Sequence, residues 1–373
     1  MIKRKTQKFE YIVFTTVLFL VAFGLIVLYS ASIVSSERLY DNSIYLFVRQ
    51  VIFCSIGVAL AFFVSFVPYT AYQKFAKYIF IVCLTFVVVT AFAGRISRGA
   101  SRWIMLRGVI FQPSELMKLA MIMYLAKVIT EIKGDFENKE NFIRVMMISY
   151  IPTFVVALSN LSTGIILFVI ATSMIFVVSK KKLIFIFIIT MVVIIYIFAY
   201  PVAKSLFSAG MLKAYQVGRI FAWKEPENYP DIAYQTMQGL YAIGSGRFSG
   251  RGYMGSIQKS IIPEAQNDMI FTILCEELGI VGAGLFILLY LILIYRILFI
   301  SMRQKKVFPM LLSFGIAIHI ALQVILNISV VTNLLPNTGV TLPFISYGGS
   351  SLMVMFVEIG IVMSIVRYEK VEN

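Results

Sequence analysis

The residues best placed to do chemistry in this sequence are carboxylates at the edges of apolar runs. Asp268 and Glu264 lie four apart in Pro263-Glu264-Ala265-Gln266-Asn267-Asp268, where a polar stretch gives way to an apolar one. A carboxylate at that junction can act as a general base, hold a metal or cap a helix. Glu115 and Lys118 form a second constellation, three apart and so on one helical face. Pro113 suits the first turn of that helix, with Glu115 just behind it at the positive end. A structural ion pair and a catalytic pair fit this spacing equally. Glu276, Glu277 and Glu358 lie deeper inside apolar runs, where a partner such as Lys118 would satisfy them. His319 is the only histidine, which excludes a Ser-His-Asp triad and a histidine-rich metal site. Acid–base chemistry therefore falls to carboxylates, lysine or tyrosine.

Composition says which elements must position these groups. Of 373 residues, 60% are hydrophobic and 14% charged, with a mean hydropathy of +0.89. Soluble domains average about 45–50% apolar and about 25% charged residues. Apolar runs of about 20 residues recur along the chain, each enough to span a hydrocarbon core of about 30 Å. The runs are continuous rather than alternating, so they read as helices and not as barrel strands. The expected fold class is an all-α integral membrane protein, with residues 1–373 forming a single polytopic domain. Ten spans are expected, at about 9–31, 45–67, 77–93, 113–132, 144–159, 161–179, 183–203, 268–296, 308–331 and 346–367. Only Asn160 separates the fifth from the sixth. The first run is longer than the roughly 7–15 apolar residues of a signal peptide, so it reads as an uncleaved span. Cys54, Cys83 and Cys275 sit inside apolar runs and read as buried thiols without a disulfide.

Lysine and arginine orient the spans. With both termini cytoplasmic, 19 of the 33 basic residues fall in or beside inside segments and Lys118 falls within a span. The remaining 13 fall outside, where topology signals do not belong. Arg95, Arg98, Arg102 and Arg107 crowd the outer loop at about 94–112, with no acid among them. Lys204, Lys213, Arg219, Lys224, Arg247, Arg251 and Lys259 occupy the large outer loop at about 204–267, between the seventh and eighth spans. Clustered arginine suits bidentate capture of phosphate, and contact with lipid headgroups is the alternative. Trp103 beside Arg102 is suited to stack on a sugar ring or to sit as an interface aromatic, as is Trp223. The glycine-rich run from Gly239 to Gly255 lacks a phosphate-loop pattern and reads as a flexible or re-entrant loop. The run from Pro336 to Gly349 reads as non-helical backbone lining a polar cavity.

Several strings resemble one family, the SEDS proteins (shape, elongation, division and sporulation). Gly99-Ala100-Ser101-Arg102-Trp103-Ile104 and Phe111-Gln112-Pro113-Ser114-Glu115, followed by Lys118, look like its first signature. Tyr234-Gln235 through Tyr241-Ala242-Ile243-Gly244-Ser245-Gly246 is similar to a second. Pro263 to Asp268, leading into Glu276-Glu277-Leu278-Gly279, is similar to a third. Leu335-Pro336-Asn337-Thr338-Gly339 and Leu342-Pro343-Phe344-Ile345-Ser346-Tyr347-Gly348-Gly349-Ser350-Ser351 are similar to the C-terminal one. These strings run in order along nearly the whole chain. The last two are closest in wording to the division and sporulation branch, FtsW and SpoVE, rather than RodA. Three departures stand out. Arg247-Phe248-Ser249-Gly250-Arg251-Gly252 replaces a more glycine-rich continuation, Asn333 stands where glycine is expected, and Lys224-Glu225-Pro226 replaces Asp-Pro.

The resemblance implies a peptidoglycan glycosyltransferase that polymerises lipid II at the outer face of the bacterial cytoplasmic membrane. It implies Asp268 as the catalytic residue, in a role of base or metal ligand. It places Arg102 and Trp103 in an outer-loop pair needed for activity, and Glu115 and Lys118 in the polar pair of the fourth span. Arg98, Lys259, Glu264 and Gln266 join these as candidate substrate contacts. A divalent cation, Mg or Mn, is implied, and no organic cofactor. The implied partners are lipid II, polyprenyl-diphosphate-linked glycan, a class B penicillin-binding protein and other divisome or elongation-complex membrane proteins, with no nucleic acid. A carrier for the same lipid also fits many spans with buried charge. Its path would need polar residues toward both faces, whereas the identifiable cluster lies outside. A scaffold would leave the outer arginines and Asp268 without a shared task.

Overall fold

The protein is described here by a computed structural model covering residues 10–93, 95–97, 100–106, 109–180, 182–209 and 214–369, with the backbone alone at 91–93, 95–97, 100–106, 109–110, 182–185 and 214–216. It is helical, with one small sheet. The helices are α1 (Tyr11–Tyr40), α2 (Tyr45–Ser65), α3 (Tyr69–Ala93), α4 (Pro113–Glu131), α5 (Lys139–Ser159) and α6 (Leu161–Val178). After them come α7 (Lys182–Ser208), α8 (Ala214–Lys224), α9 (Pro230–Gly246), α10 (Ile270–Arg303), α11 (Val307–Val331) and α12 (Gly349–Tyr368). Strands β1 (Arg95–Ser97), β2 (Ala100–Leu106) and β3 (Val109–Phe111) form an antiparallel meander between α3 and α4, with Arg95 opposite Trp103 and Ile104 opposite Phe111. Within the outer loop expected at 94–112, residues 95–97, 100–106 and 109–111 are therefore ordered by backbone pairing.

Among the described residues, nine helices are long and apolar enough to cross a membrane. The fourth of the ten expected spans, α4, is not one of them. Glu115, Lys118 and Lys127 make it too charged to qualify by composition, yet most of its residues are buried in the middle of the bundle. It packs against α3, α5, α6, α11 and α12. The break at Asn160 has a physical cause. Its backbone is extended (φ −149°, ψ 92°), and its side chain accepts the Thr163 N–H, capping α6. Gly164 then lets α6 close on α5, since a Cβ there would lie 2.6 Å from that of Ala157.

One expectation about irregular backbone needs correction. Gly239, Gly244 and Gly246 lie within α9, so the glycine-rich run is half helix. Gly246 is there for close approach, because a Cβ would fall 2.0 Å from the Cys275 carbonyl oxygen. The rest of the run stitches itself into a break in α10. Gly279 sits at φ 65° and ψ −167°, which interrupts the helix ladder. Arg251 N–H and Gly252 N–H donate to the Glu276 and Glu277 carbonyls at 2.9 and 3.0 Å. In return, Ile280 N–H and Val281 N–H donate to the Arg247 and Phe248 carbonyls. Backbone groups orphaned by the kink thus find partners inside the protein, as an apolar surround demands. Asn333 adopts a left-handed conformation at φ 57°, which accounts for glycine being expected there; asparagine tolerates it better than most side chains.

Candidate functional site

Asp268 lies half-buried just before α10, at the end of the molecule where α1 finishes and α12 begins. It does not open or cap that helix. The first helical residue is Ile270 and the cap position belongs to Met269, which supplies no side-chain hydrogen bond. The carboxylate is thereby left available to partners from other elements. Gln235, on α9, donates through Nε2 to Asp268 Oδ1 at 3.4 Å and to the Pro263 carbonyl at 3.2 Å. Asn337 Nδ2 donates to Gln235 Oε1 at 3.0 Å and so fixes which way that amide points. Asn327, buried on α11, donates to the Asp268 carbonyl at 2.7 Å and to the Val340 carbonyl at 2.8 Å. Gly339 (φ 68°) passes close by, where a Cβ would lie 3.6 Å from Asp268 Oδ2. Elements far apart in sequence converge on one carboxylate.

The polar groups around Asp268 are only partly satisfied. Gln266 Oε1, Asn267 Oδ1 and Thr338 Oγ1 are buried and have no hydrogen-bond partner within the protein. The Gln266 backbone carbonyl is held by the Tyr347 N–H at 2.8 Å, and Asn267 Nδ2 donates to Glu264 Oε2 at 2.7 Å. Glu264 sits at φ 53°, so a tight turn presents the Glu264–Asp268 segment. Buried polar atoms left unmatched cost free energy unless a ligand or solvent meets them.

The remaining candidates divide by location. Glu115 and Lys118 form a buried ion pair, Nζ to Oε2 2.9 Å, with Lys118 1% exposed. Lys259 turns its ammonium to protein partners: the Ser30 hydroxyl at 3.0 Å, the Met254 carbonyl at 2.8 Å and Glu277 Oε1 at 3.6 Å. Glu277, not Lys118, is thus paired by Lys259, and it also accepts from the Ser30 hydroxyl. Glu358 is likewise paired elsewhere, with His319 Nδ1 at 2.8 Å. The expected pairing of these acids with Lys118 does not occur, because their helices place other donors at their depth. Arg98 and Arg107 lie outside the described residues, and Arg102 and Trp103 sit on β2, described by backbone alone. Trp223 is buried, donating to the Asn333 carbonyl at 2.9 Å, and so is not a plain interface aromatic.

Sequence reasoning missed the supporting role of Asn327 and Asn337. Asn337 stood in a proline- and glycine-rich string, and a lone asparagine inside an apolar run, as at Asn327, was the available signal for a polar contact at the outer face. No group of three or more histidine, cysteine or acidic side chains able to hold a metal occurs among the described residues.

Comparison with known proteins shows the family and the fold. A family described as cell cycle protein, spanning FtsW, RodA and SpoVE, matches residues 10–371. Stage V sporulation protein E of Bacillus subtilis (strain 168) is 34% identical over 377 residues, covering 99% of this chain and all of that protein. A probable peptidoglycan glycosyltransferase FtsW of Trichlorobacter lovleyi is 32% identical over 383 residues, covering 97% of this chain and 94% of that one. A chain from a solved peptidoglycan synthase complex, in which polymerisation and crosslinking are coordinated, superimposes with a TM-score of 0.77 at 23% identity, over 97% of this chain and 98% of that one.

Proposed function

The chain belongs to the cell cycle protein family of FtsW, RodA and SpoVE, and from that premise we infer that it is a multi-pass peptidoglycan glycosyltransferase of the bacterial cytoplasmic membrane, with Asp268 at its reacting centre. The observation that carries this site is the convergence of α9, α11 and the 337–339 segment on one half-buried carboxylate, Asp268.

The reaction joins a polyprenyl-diphosphate-linked glycan, as donor, to lipid II, as acceptor. The acceptor hydroxyl attacks the donor anomeric carbon as the bond from that carbon to the diphosphate oxygen breaks. Asp268 takes the hydroxyl proton, a task for which Gln235 and Asn327 hold its side chain and backbone in place. An α-linked diphosphate giving a β-1,4 glycan requires one inversion, so one carboxylate suffices. The leaving diphosphate needs its charge neutralised more than it needs a proton, which is the task proposed for the outer-loop cations around Arg102.

A divalent cation fits this donor set only as a shared ligand. Magnesium is commonly held by one or two carboxylates together with substrate phosphates, and Asp268 is a hard anionic donor at the centre of the site. When bound, the cation would offset charge on the diphosphate. A class B penicillin-binding protein is the partner proposed to crosslink the product.

The test uses purified protein in detergent, alone and with its cognate penicillin-binding protein, supplied with lipid II. The wild type should form glycan polymer. Asp268→Ala should bind lipid II but form none, and Arg102→Ala should weaken binding while the protein still inserts into membrane. Polymer made by Asp268→Ala would overturn the role of that residue. Wild-type protein that makes no polymer with any partner, yet moves labelled lipid II across vesicles, would overturn the enzyme.

A further inference from the structure

Glu276 is 1% exposed, two turns into α10, and no lysine or arginine pairs with it among the described residues. Its charge is met by hydrogen-bond donors alone. Oε1 accepts from the Ile257 N–H at 3.2 Å, and the Ser245 hydroxyl, whose single proton is shared with the Ala242 carbonyl at 3.0 Å, lies 3.2 Å from the same oxygen. Oε2 accepts from the Ser256 hydroxyl at 2.5 Å and the Gln258 N–H at 3.3 Å. Ser256 Oγ in turn accepts the Lys259 N–H at 3.1 Å, so its proton is committed to Glu276. An ionised carboxylate offers about four lone-pair sites, and this one is nearly saturated.

The groups in contact with this carboxylate come from two elements, and both lead to Asp268. Ser245 lies on α9, the helix whose Gln235 reaches Asp268 Oδ1. Ser256, Ile257 and Gln258 begin the segment that runs through Pro263 to Asp268 itself. Gln235 also grips that segment at the Pro263 carbonyl. One carboxylate therefore sets the relative placement of α9 and the 256–268 segment, the two parts of the chain that meet at the reacting group. We propose that Glu276 is a positioning residue for glycosyl transfer, acting through these two elements on Asp268. This rests on the reading of Asp268 given above.

The chemistry makes a sharp demand on residue type. A backbone N–H sits on each oxygen, Ile257 on Oε1 and Gln258 on Oε2. A glutamine would turn its NH₂ against one of those N–H groups whichever way the amide flips. Hydroxyls can rotate away from such a clash; backbone amides cannot. Aspartate is shorter but keeps two acceptors. A side chain that only filled space would tolerate glutamine better than aspartate, whereas a positioning carboxylate ranks aspartate above glutamine.

Polymerisation of lipid II by wild type, E276Q, E276D and D268A tests the idea, with thermal melts in detergent alongside. E276Q should lower turnover on the order of 100-fold, the scale expected when a reacting group shifts by about 1 Å, with KM for lipid II near the wild-type value. E276D should retain more activity than E276Q. Turnover of E276Q within about twofold of wild type, or above that of E276D, overturns the proposal. Should E276Q fail to fold, Ser256→Ala removes one donor and keeps the carboxylate. A several-fold loss of turnover then supports the proposal and an unchanged turnover overturns it. An activity-independent arm uses Asp268→Cys, since the native cysteines are buried. Its alkylation rate should change when E276Q is added, and an unchanged rate overturns the positioning role. Activity surviving in D268A would instead sink the assignment of Asp268, while leaving the alkylation result to stand or fall separately.

Discussion

The helices α4 and α7 invert the rule learned from soluble proteins. Helix α7 is strongly apolar, yet almost none of it between Ile186 and Ser208 is buried within the protein. Helix α4 carries an acid and a lysine near its outer end, yet 14 of its 19 residues are buried. In water, apolar surface is driven inward. In lipid, tails are as apolar as leucine, so no such force sorts one apolar helix from another. The sorting is done by charge. Glu115 and Lys118 cannot face hydrocarbon and must find each other inside the bundle. Helix α7 has little to hide and leans on α8 and α6.

The largest expected effect lies in α4. Lys118→Met leaves Glu115 buried without its cation and should cost about 3–5 kcal/mol, read from unfolding in detergent. Adding Glu115→Gln should return most of that loss. A Lys118→Met protein as stable as wild type would break the comparison, since α4 would then owe its burial to something other than charge.

A smaller, pH-dependent effect is expected where α7 meets α8. The Tyr200 hydroxyl donates to Glu225, assisted by the Asn228 amide at 3.0 Å and by Lys204 at 3.5 Å. These hold the Glu225 carboxyl below the ordinary carboxylate range, with the Tyr200 bond the main cause. A depressed carboxylate pKa stabilises the native contact above the unfolded value of about 4.3 and loses that contribution as pH falls through the folded one. Spin labels on α7 and α8 should therefore separate under acid conditions and stay together at neutral pH. Constant separation down to the lowest pH the fold survives would show that α7 is held by other means.

The smallest effect belongs to the lipid-facing side of α7. Ile195 is 62% exposed, and Ile195→Ala should change stability by about 0.5 kcal/mol or less. A loss above about 2 kcal/mol, typical of a packed core position, would place α7 in a packed interface and dissolve the contrast with α4.

The helical membrane fold was legible because hydropathy over about 20 residues reports on the local chain alone. The boundary at Asn160 was legible for the same reason, since a capping side chain acts within three residues. The folding of Gly239 to Gly246 into a helix was not, because Gly239 and Gly246 make room for α10 rather than serving their own backbone. The kink at Gly279 was also hidden. Its cost is offset by the 247–252 segment, about 30 residues earlier, through bonds no local pattern encodes. At the site, Asp268 stood out from a family string and from its place beside an apolar run, while Lys259 looked like one more outer cation until Glu277 and Ser30 were found beside it.

By itself, the sequence determined that this chain lives in a membrane, which groups are charged there, and that its strings are those of a peptidoglycan-synthesising family. These are properties of residues and short runs. Only the tertiary structure decided what each charge is for. Lys118 and Lys259 are both cations near the outer half of the molecule, and both neutralise protein carboxylates within it. Asp268 and Glu276 are both carboxylates near the start of α10. One meets Gln235 beside unmatched polar atoms, and the other is ringed by donors. The difference is set by what other helices bring within about 3 Å, the range at which a hydrogen bond operates.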